Sequence, residues 1–429
     1  MERRAMDSNL VKRPYEPLAL AAPDAPALDA MSQRLADYLA SSPGVPLDAV
    51  GCHLATRSAR APHRRVVFAR EHQDAIHALR VGAPNLTVAG VAAEAPGIAF
   101  LFPGMVKAAG LRELYDIERV FRDEFDRCAA AAERTSGIDL FAVFDRADST
   151  EAPDYLGFLF AIEAGLSALW TSWGVRPRAV LGFSFGELVA SFTAGVFTLD
   201  AALGLVAERS RLLQSLMTGA MTSVALSEAD TRRLLPADLA VAIQRTATSC
   251  VVSGPVASLA GFEDLLRTRD IGFQRLDMSF AGHSASAVQA AEPFARAVAR
   301  LGPQPPRVPI VSGATGESLS AAQAVSPAYW GAQLHQTVRF ASGVETLIGQ
   351  GCRLLLEIGP GFYLTSMASQ QGAAARGVVC QASIRPASGV PGTHLGLLRS
   401  LARLWTLGVD VDWRALYPNP APLPRPPAL

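Results

Sequence analysis

The stretch Ala179-Val180-Leu181-Gly182-Phe183-Ser184-Phe185-Gly186-Glu187-Leu188 constrains this chain more than any other. Apolar residues stop at a glycine, a serine stands between two glycines, and helix-forming residues follow at once. That order is the strand, sharp turn and helix of a nucleophile elbow, in which the serine hydroxyl projects from the end of a sheet. Backbone N–H groups at the start of the helix can then stabilise an oxyanion, which suits acyl transfer. An ordinary strand-to-helix turn has the same spacing, so the neighbouring residues decide its weight.

With 429 residues, half of them hydrophobic, the chain can bury a large core over two or three domains. Lysine plus arginine equals aspartate plus glutamate at 39 each, which offers no basic face to nucleic acid or to an anionic membrane. Cys52, Cys128, Cys250, Cys352 and Cys380 are far apart, with no metal-ligand spacing, and read as buried thiols of a reducing cytosol with no bound metal. Met1-Glu2-Arg3-Arg4 is followed by no apolar signal core, and no run approaches the ~18 apolar residues of a membrane span. The expectation is a soluble cytoplasmic protein.

Residues 1–95 read as a small α/β adaptor. A Pro-rich lead (Pro14, Pro17, Pro23, Pro26) precedes a helix over residues 27–41, with Leu28, Met31, Leu35 and Leu39 on one stripe and Pro43 and Pro46 after it. A strand at 66–69 and a helix at 73–79 follow; His53, His63, His72 and His77 read as surface or packing residues. The core opens with the buried strand Gly97-Ile98-Ala99-Phe100-Leu101-Phe102, ending at Pro103-Gly104. Helices are predicted at 111–133 and 155–173, the second apolar nearly all round and therefore buried, with Gly174 closing it. This alternation predicts a parallel, doubly wound sheet.

After the elbow, Asp200 is the expected N-cap of a helix carrying Leu205, Val206, Leu212, Leu213 and Leu216 on one face. Arg209 lies on that face, where an unpaired guanidinium is costly and requires an anion: a substrate carboxylate, or an internal one such as Glu187. Residues 219–280 then read as strand, helix, strand, strand, helix, strand, a ferredoxin-like unit. His283, in the loop that ends it, is the candidate general base, with His335 and His394 as competitors.

Taken together, Phe102-Pro103-Gly104, Gly182-x-Ser184-x-Gly186-Glu187, Arg209, Ser253-Gly254, His283-Ser284, Tyr329-Trp330, Val338-Arg339-Phe340 and Glu357-Ile358-Gly359-Pro360-Gly361 resemble, in order, the malonyl-CoA:acyl carrier protein acyltransferases, specifically the acyltransferase domains of polyketide synthases. Residues 1–95, containing Leu54-Ala55-Thr56-Arg57, resemble the ketosynthase–acyltransferase linker, and residues 395–429 resemble the segment after the acyltransferase. The implied fold is an α/β-hydrolase-like core (96–218 and 284–394) with a ferredoxin-like subdomain (219–283) inserted.

The resemblance implies a ping-pong reaction. Ser184 attacks a coenzyme A thioester with His283 as base, and the acyl group passes to the phosphopantetheine thiol of an acyl carrier protein, beside a ketosynthase; no cofactor is bound. It assigns the oxyanion hole to the backbone of Phe185 and Met105, the carbonyl that orients His283 to Gln333, and the carboxylate of a malonyl-type unit to Arg209. Several positions depart from the family pattern. Met105-Val106 replace a glutamine and a glycine, Phe183 a histidine, Leu156 a glutamine and Arg245 an asparagine. The tetrad Phe280-Ala281-Gly282-His283 matches neither the malonyl nor the methylmalonyl form. Phe183, Phe280, Gly282 and Arg245 are therefore expected to shape the acyl pocket. Hydrolysis of acyl carrier proteins and a catalytically weak docking role are the alternatives.

Overall fold

The computed structural model describes residues 11–57, 61–104, 106–107, 110–144, 154–214, 219–277, 280–384, 392–418, 420, 422–423 and 427. Strands β1 (Glu16–Ala22), β2 (His63–Ala69) and β3 (Thr87–Val91) form an antiparallel sheet in that spatial order. β1 lies within the Pro-rich lead. Pro17 is tolerated there because β1 is an edge strand with only one neighbour. The unit also holds a helix at Leu47–Arg57, directly after the prolines expected only to end the previous one.

The central sheet starts with β4 (Gly97–Phe102) and β5 (Ala179–Gly182). It is interrupted by β6 (Ala220–Val224), β7 (Ala240–Thr246), β8 (Ser249–Gly254) and β9 (Phe273–Arg275), which belong to a second sheet. After β10 (Ile310–Val311) and β11 (Val338–Arg339) come β12 (Cys352–Pro360) and β13 (Val379–Ile384). The central order is β10-β5-β4-β12-β13 and every pairing is parallel, so the parallel sheet expected from alternating strands and helices is present, as the core that the family resemblance implies. The second sheet has the order β11-β7-β8-β6-β9. Its β6–β9 and two helices make the ferredoxin-like unit. The short β11, contributed from beyond residue 284, pairs with β7 and covers what would otherwise be an open edge.

The helix expected over 111–133 is two, Arg112–Ile117 and Arg119–Ser136, because Glu118 between them is extended. The Glu118 carboxylate is buried against Nε2 of His394 at 2.8 Å and Nε of Arg13 at 3.3 Å, and that internal pairing holds the break open. Asp200 is not an N-cap. It lies inside the helix Leu199–Gln214 and pairs with exposed Arg134, while Thr198 Oγ1 accepts the N–H of Ala201. By length and composition the helix Tyr155–Ser172 could cross a membrane, contrary to the expectation that no run comes close, but it is core: Phe158, Leu159, Phe160, Ile162, Leu166 and Trp170 are all fully buried.

The helix Thr393–Thr406 runs through the boundary expected at 394/395 and packs on β13, β2 and β3. Arg64 stacks on Trp405 and donates to its carbonyl at 2.6 Å, and the Tyr417 hydroxyl donates to Pro17 O at 2.9 Å. The two flanks are thereby clasped to each other and to the core.

Gly186 sets the most sensitive contact in the fold. A Cβ there would lie 2.2 Å from the carbonyl oxygen of Phe102 and 2.4 Å from that of Pro103. Gly186→Ala is expected to cost about 3 kcal/mol, the upper end of over-packing. Calorimetric unfolding checks this, and a variant as stable as wild type would contradict it.

Candidate active site

β5 ends at Gly182, and the helix Gly186–Thr193 begins four residues later. Between them Ser184 adopts a left-handed backbone with φ 54°; among the described non-glycine residues only Asp270 and His283 share that sign, at 56° and 52°. Strain of this kind persists only where surroundings impose it. Here Phe183 N donates to Phe102 O at 2.8 Å, and Glu187 N donates to Ser184 O at 3.2 Å. The serine hydroxyl is thus pushed out of the turn.

Ser184 Oγ lies 2.7 Å from Nε2 of His283. On the other side of the ring, Nδ1 is 2.8 Å from the main-chain carbonyl of Gln336. A carbonyl can only accept, so Nδ1 carries the proton and Nε2 is free to accept the hydroxyl proton of Ser184. The family resemblance put the orienting carbonyl at Gln333. Gln333 ends the helix Pro327–Gln333, and the chain turns through Leu334 and His335 before Gln336 presents its oxygen. The Gln333 main chain also acts on the ring, less strongly than Gln336, and its side chain adds two contacts: Nε2 donates to Ser184 O at 2.8 Å, and Oε1 accepts from Nη1 of Arg209 at 3.1 Å.

Burial and the nearby Arg209 cation lower the His283 pKa to about 3, although the Gln336 carbonyl opposes this. Arg209 is buried as expected, with Nη2 3.5 Å from Ser184 Oγ; burial lowers its pKa to about 10, opposed by Glu187. Glu187 is itself fully buried, accepting from Gly313 N at 3.0 Å and from the Tyr329 hydroxyl, and burial raises its pKa to about 7. Near neutral pH its charge is therefore incomplete. Arg209 keeps a need for an anion that Glu187 meets only in part.

The Phe185 N–H, at the helix start, has no protein partner among the described residues and is free to donate. Met105 lies outside the described residues. Phe183 is buried edge-on against Phe340 and Tyr363, each 5.8 Å away between ring centres, and Phe280 packs in the same apolar cluster. Gly282 is buried beside His283. Arg245 Nη1 donates to Ser223 Oγ at 2.9 Å. Of the competing histidines, His394 is bound to Glu118, and His335 contributes only an electrostatic influence on His283. Glu357 accepts from Thr365 N at 2.9 Å and Oγ1 at 3.0 Å, so it is no partner for a catalytic His394.

Tyr329, Tyr363, Ser223 and the Gln336 carbonyl carry no role that the sequence alone assigns. Only Tyr329-Trp330 gives a signal there, as a motif without a function; the others are defined by contacts between distant segments.

An activated serine, a neutral histidine, a helix-start N–H and a partly uncompensated arginine meet at the seam of two sheets. Among known proteins, residues 99–395 match the acyl transferase domain family, and residues 16–79 match a polyketide synthase C-terminal family described as CurL-like. The chain is 33% identical over 375 residues to one component of the phenolphthiocerol/phthiocerol polyketide synthase of Mycobacterium tuberculosis, covering 85% of this chain and 24% of that protein. It is 31% identical to erythronolide synthase EryA2 of Saccharopolyspora erythraea, covering 96% of this chain and 12% of that one. It therefore spans about a quarter or less of these relatives. The acyl transferase domain of SpnD, solved in complex with 2-(pent-4-yn-1-yl)malonyl, superposes with TM-score 0.84 at 33% identity, covering 96% of this chain and all of that one. The acyl transferase domain of ZmaA superposes at 0.89 with 28% identity, covering 97% of this chain and all of that one.

The pKa of His283 carries a pH expectation. An unfolded histidine protonates near pH 6.5 while the folded one resists to about 3, so its contribution to stability is full above pH 6.5 and drains as pH falls toward 3. Labelling of Ser184 by a fluorophosphonate should consequently stay within about two-fold between pH 7.5 and 5; a base titrating at 6.5 would lose about thirty-fold. A thirty-fold loss in a still-folded protein would show that His283 titrates normally.

Proposed function

Because the chain belongs to the acyl transferase domain family found in polyketide synthases, we propose that it moves a malonyl-type acyl group from coenzyme A, through an ester on Ser184, to the phosphopantetheine thiol of an acyl carrier protein. The observation that carries this reading is the relay Ser184 Oγ to His283 Nε2 and His283 Nδ1 to Gln336 O, set beside the guanidinium of Arg209.

In acylation, His283 Nε2 takes the hydroxyl proton as Ser184 Oγ bonds to the thioester carbon. The tetrahedral oxyanion is assigned to the Phe185 N–H, the expected second donor at Met105 lying outside the described residues. Collapse expels the coenzyme A thiolate, which takes the proton from His283. The carrier's thiol then reverses the sequence: it gives its proton to His283, attacks the ester carbon, and Ser184 Oγ leaves with that proton. Gln336 O keeps the ring in the tautomer that both steps require. Gln333 links Ser184 O to Arg209, which is assigned the free carboxylate of the acyl unit. Phe183 and Phe280, which pack in one apolar cluster, are assigned to the wall of the acyl pocket, and Gly282, which brings no side chain of its own beside His283, to the place of an α-substituent. A cytoplasmic setting and a neighbouring ketosynthase complete the proposal.

Three outcomes test it. Incubation with the cognate acyl-CoA should add one acyl mass to the intact protein, Ser184→Ala should abolish the addition, and His283→Ala should slow it by about 10²–10⁴. A Ser184→Ala protein that still loads a carrier protein would refute the mechanism. Transfer to a matching holo carrier should outrun release of free acid; hydrolysis equally fast with and without carrier would make the protein an acyl hydrolase. Arg209→Ala should weaken carboxylated donors roughly ten- to a hundred-fold, the range for a hydrogen bond to a charged group, and leave acetyl-CoA nearly unaffected. A wild-type preference for acetyl-CoA would make Arg209 a structural ion-pair partner.

A further inference from the structure

Arg245 occupies a position in the seam that its neighbours do not explain. The face of the second sheet that carries Met221, Ile243 and Val251 joins Ala99, Leu101, Leu181 and Phe183 of the central region in one apolar cluster. Ser223 is two residues from Met221 and points from that same face, whereas Arg245 sits at an irregularity of β7 between Gln244 and Thr246, where its contact with Ser223 rather than strand alternation fixes its direction. There Arg245 Nη1 donates to Ser223 Oγ at 2.9 Å, and its cation acts electrostatically on the Tyr363 hydroxyl. Tyr363 stands edge-on to Phe183, with 5.8 Å between ring centres, and Phe183 directly precedes Ser184. The guanidinium is thus about two side chains from the reacting hydroxyl.

Its polar inventory is incomplete. Nε is buried and has no partner, and among the described residues no carboxylate pairs with this arginine. Other arginines near this sheet differ. Arg232 and Arg339 pair with Glu228 at 2.8 and 2.7 Å, and Arg275 pairs with Glu263 at 2.7 Å. A half-buried guanidinium that keeps free donors in a cleft loses hydration without recovering it, unless a ligand supplies an acceptor.

We propose that Arg245, steadied by Ser223 and Tyr363, forms a second acceptor-binding subsite, taking a carbonyl or anionic oxygen of the bound thioester remote from the carboxylate assigned to Arg209. This rests on the reading of the seam as an acyl-donor site. Two parts of a donor offer such an oxygen, the far end of the acyl substituent and the phosphopantetheine arm. A planar guanidinium fits either, because its N–H groups diverge in a fixed fork. Ser223 engages Nη1, and the outer edge of the fork, away from the enclosed Nε, is left for the ligand.

Equilibrium binding in a Ser184→Ala background, where no chemistry follows, separates the outcomes. Malonyl-CoA is compared calorimetrically with the malonyl thioester of N-acetylcysteamine, which lacks the phosphate and most of the arm. Arg245→Ala should weaken malonyl-CoA roughly ten- to a hundred-fold, and Arg245→Lys should restore part of that. Loss confined to malonyl-CoA places the acceptor on the arm; equal loss with both donors places it on the acyl unit. Unchanged affinity for both, with Arg245→Ala melting as the parent does, would overturn the subsite and leave Arg245 as a tie between β7 and Tyr363. Failure of the Ser184→Ala parent to bind either donor would instead overturn the donor-site reading, and this subsite with it.

Discussion

The close approach of two backbones at the elbow governs the rest of the site. Gly182 lets the end of β5 close on the helix start at Gly186 and Glu187, and Gly186 lets that helix start close on the Phe102-Pro103 backbone, both at separations no Cβ would allow. The hydrogen bond from Phe183 N to Phe102 O locks that contact. Ser184 is forced into a left-handed conformation, and its hydroxyl projects toward His283. A larger residue at either glycine would part the helix start from the loop and move the free Phe185 N–H with it.

Electrostatics across the seam follow from burial rather than from net charge, which is zero by formal count. Burial holds His283 neutral, drives Glu187 toward its protonated form and leaves Arg209 short of a counter-charge. These effects reinforce one another: a fully ionised Glu187 would satisfy Arg209 and blunt its demand for a ligand. Gln333, a neutral residue, ties Arg209 to the serine carbonyl without supplying the missing charge. The site's own anion is weakened by burial, which is the electrostatic basis of the proposed carboxylated donor.

The flanks contribute rigidity. Arg64 on Trp405, Tyr417 on Pro17 O, and the Glu118–His394 pair connect the N-terminal unit, the central helices and the C-terminal helix. Residues from all three join one apolar cluster, so the first and last segments form part of the same core that underlies β4 and β5.

Local pattern alone determined the elbow, the buried strands β4 and β5, the apolar helix behind them, the strand–helix alternation of the inserted unit and the inward face of Arg209, because spacing of apolar residues and glycines encodes each of these within a short window. It also made His283 a candidate base from its loop position, and the family motifs singled it out from His335 and His394. Tertiary structure decided what depends on segments far apart in the chain. Gln336 joins Gln333 in orienting His283, because the turn after Gln333 carries a second carbonyl to Nδ1. Glu118 breaks a helix because His394 and Arg13 arrive beside it from opposite ends of the chain. Asp200 loses the cap to Thr198, β1 forms among prolines because its edge position needs no second neighbour, and Arg245 meets Tyr363 only where the two sheets close on each other. Thr198 lay inside the local sequence window, two residues before Asp200. For Glu118, His283 and Arg245 the deciding partner is absent from that window, so no local pattern could have encoded it.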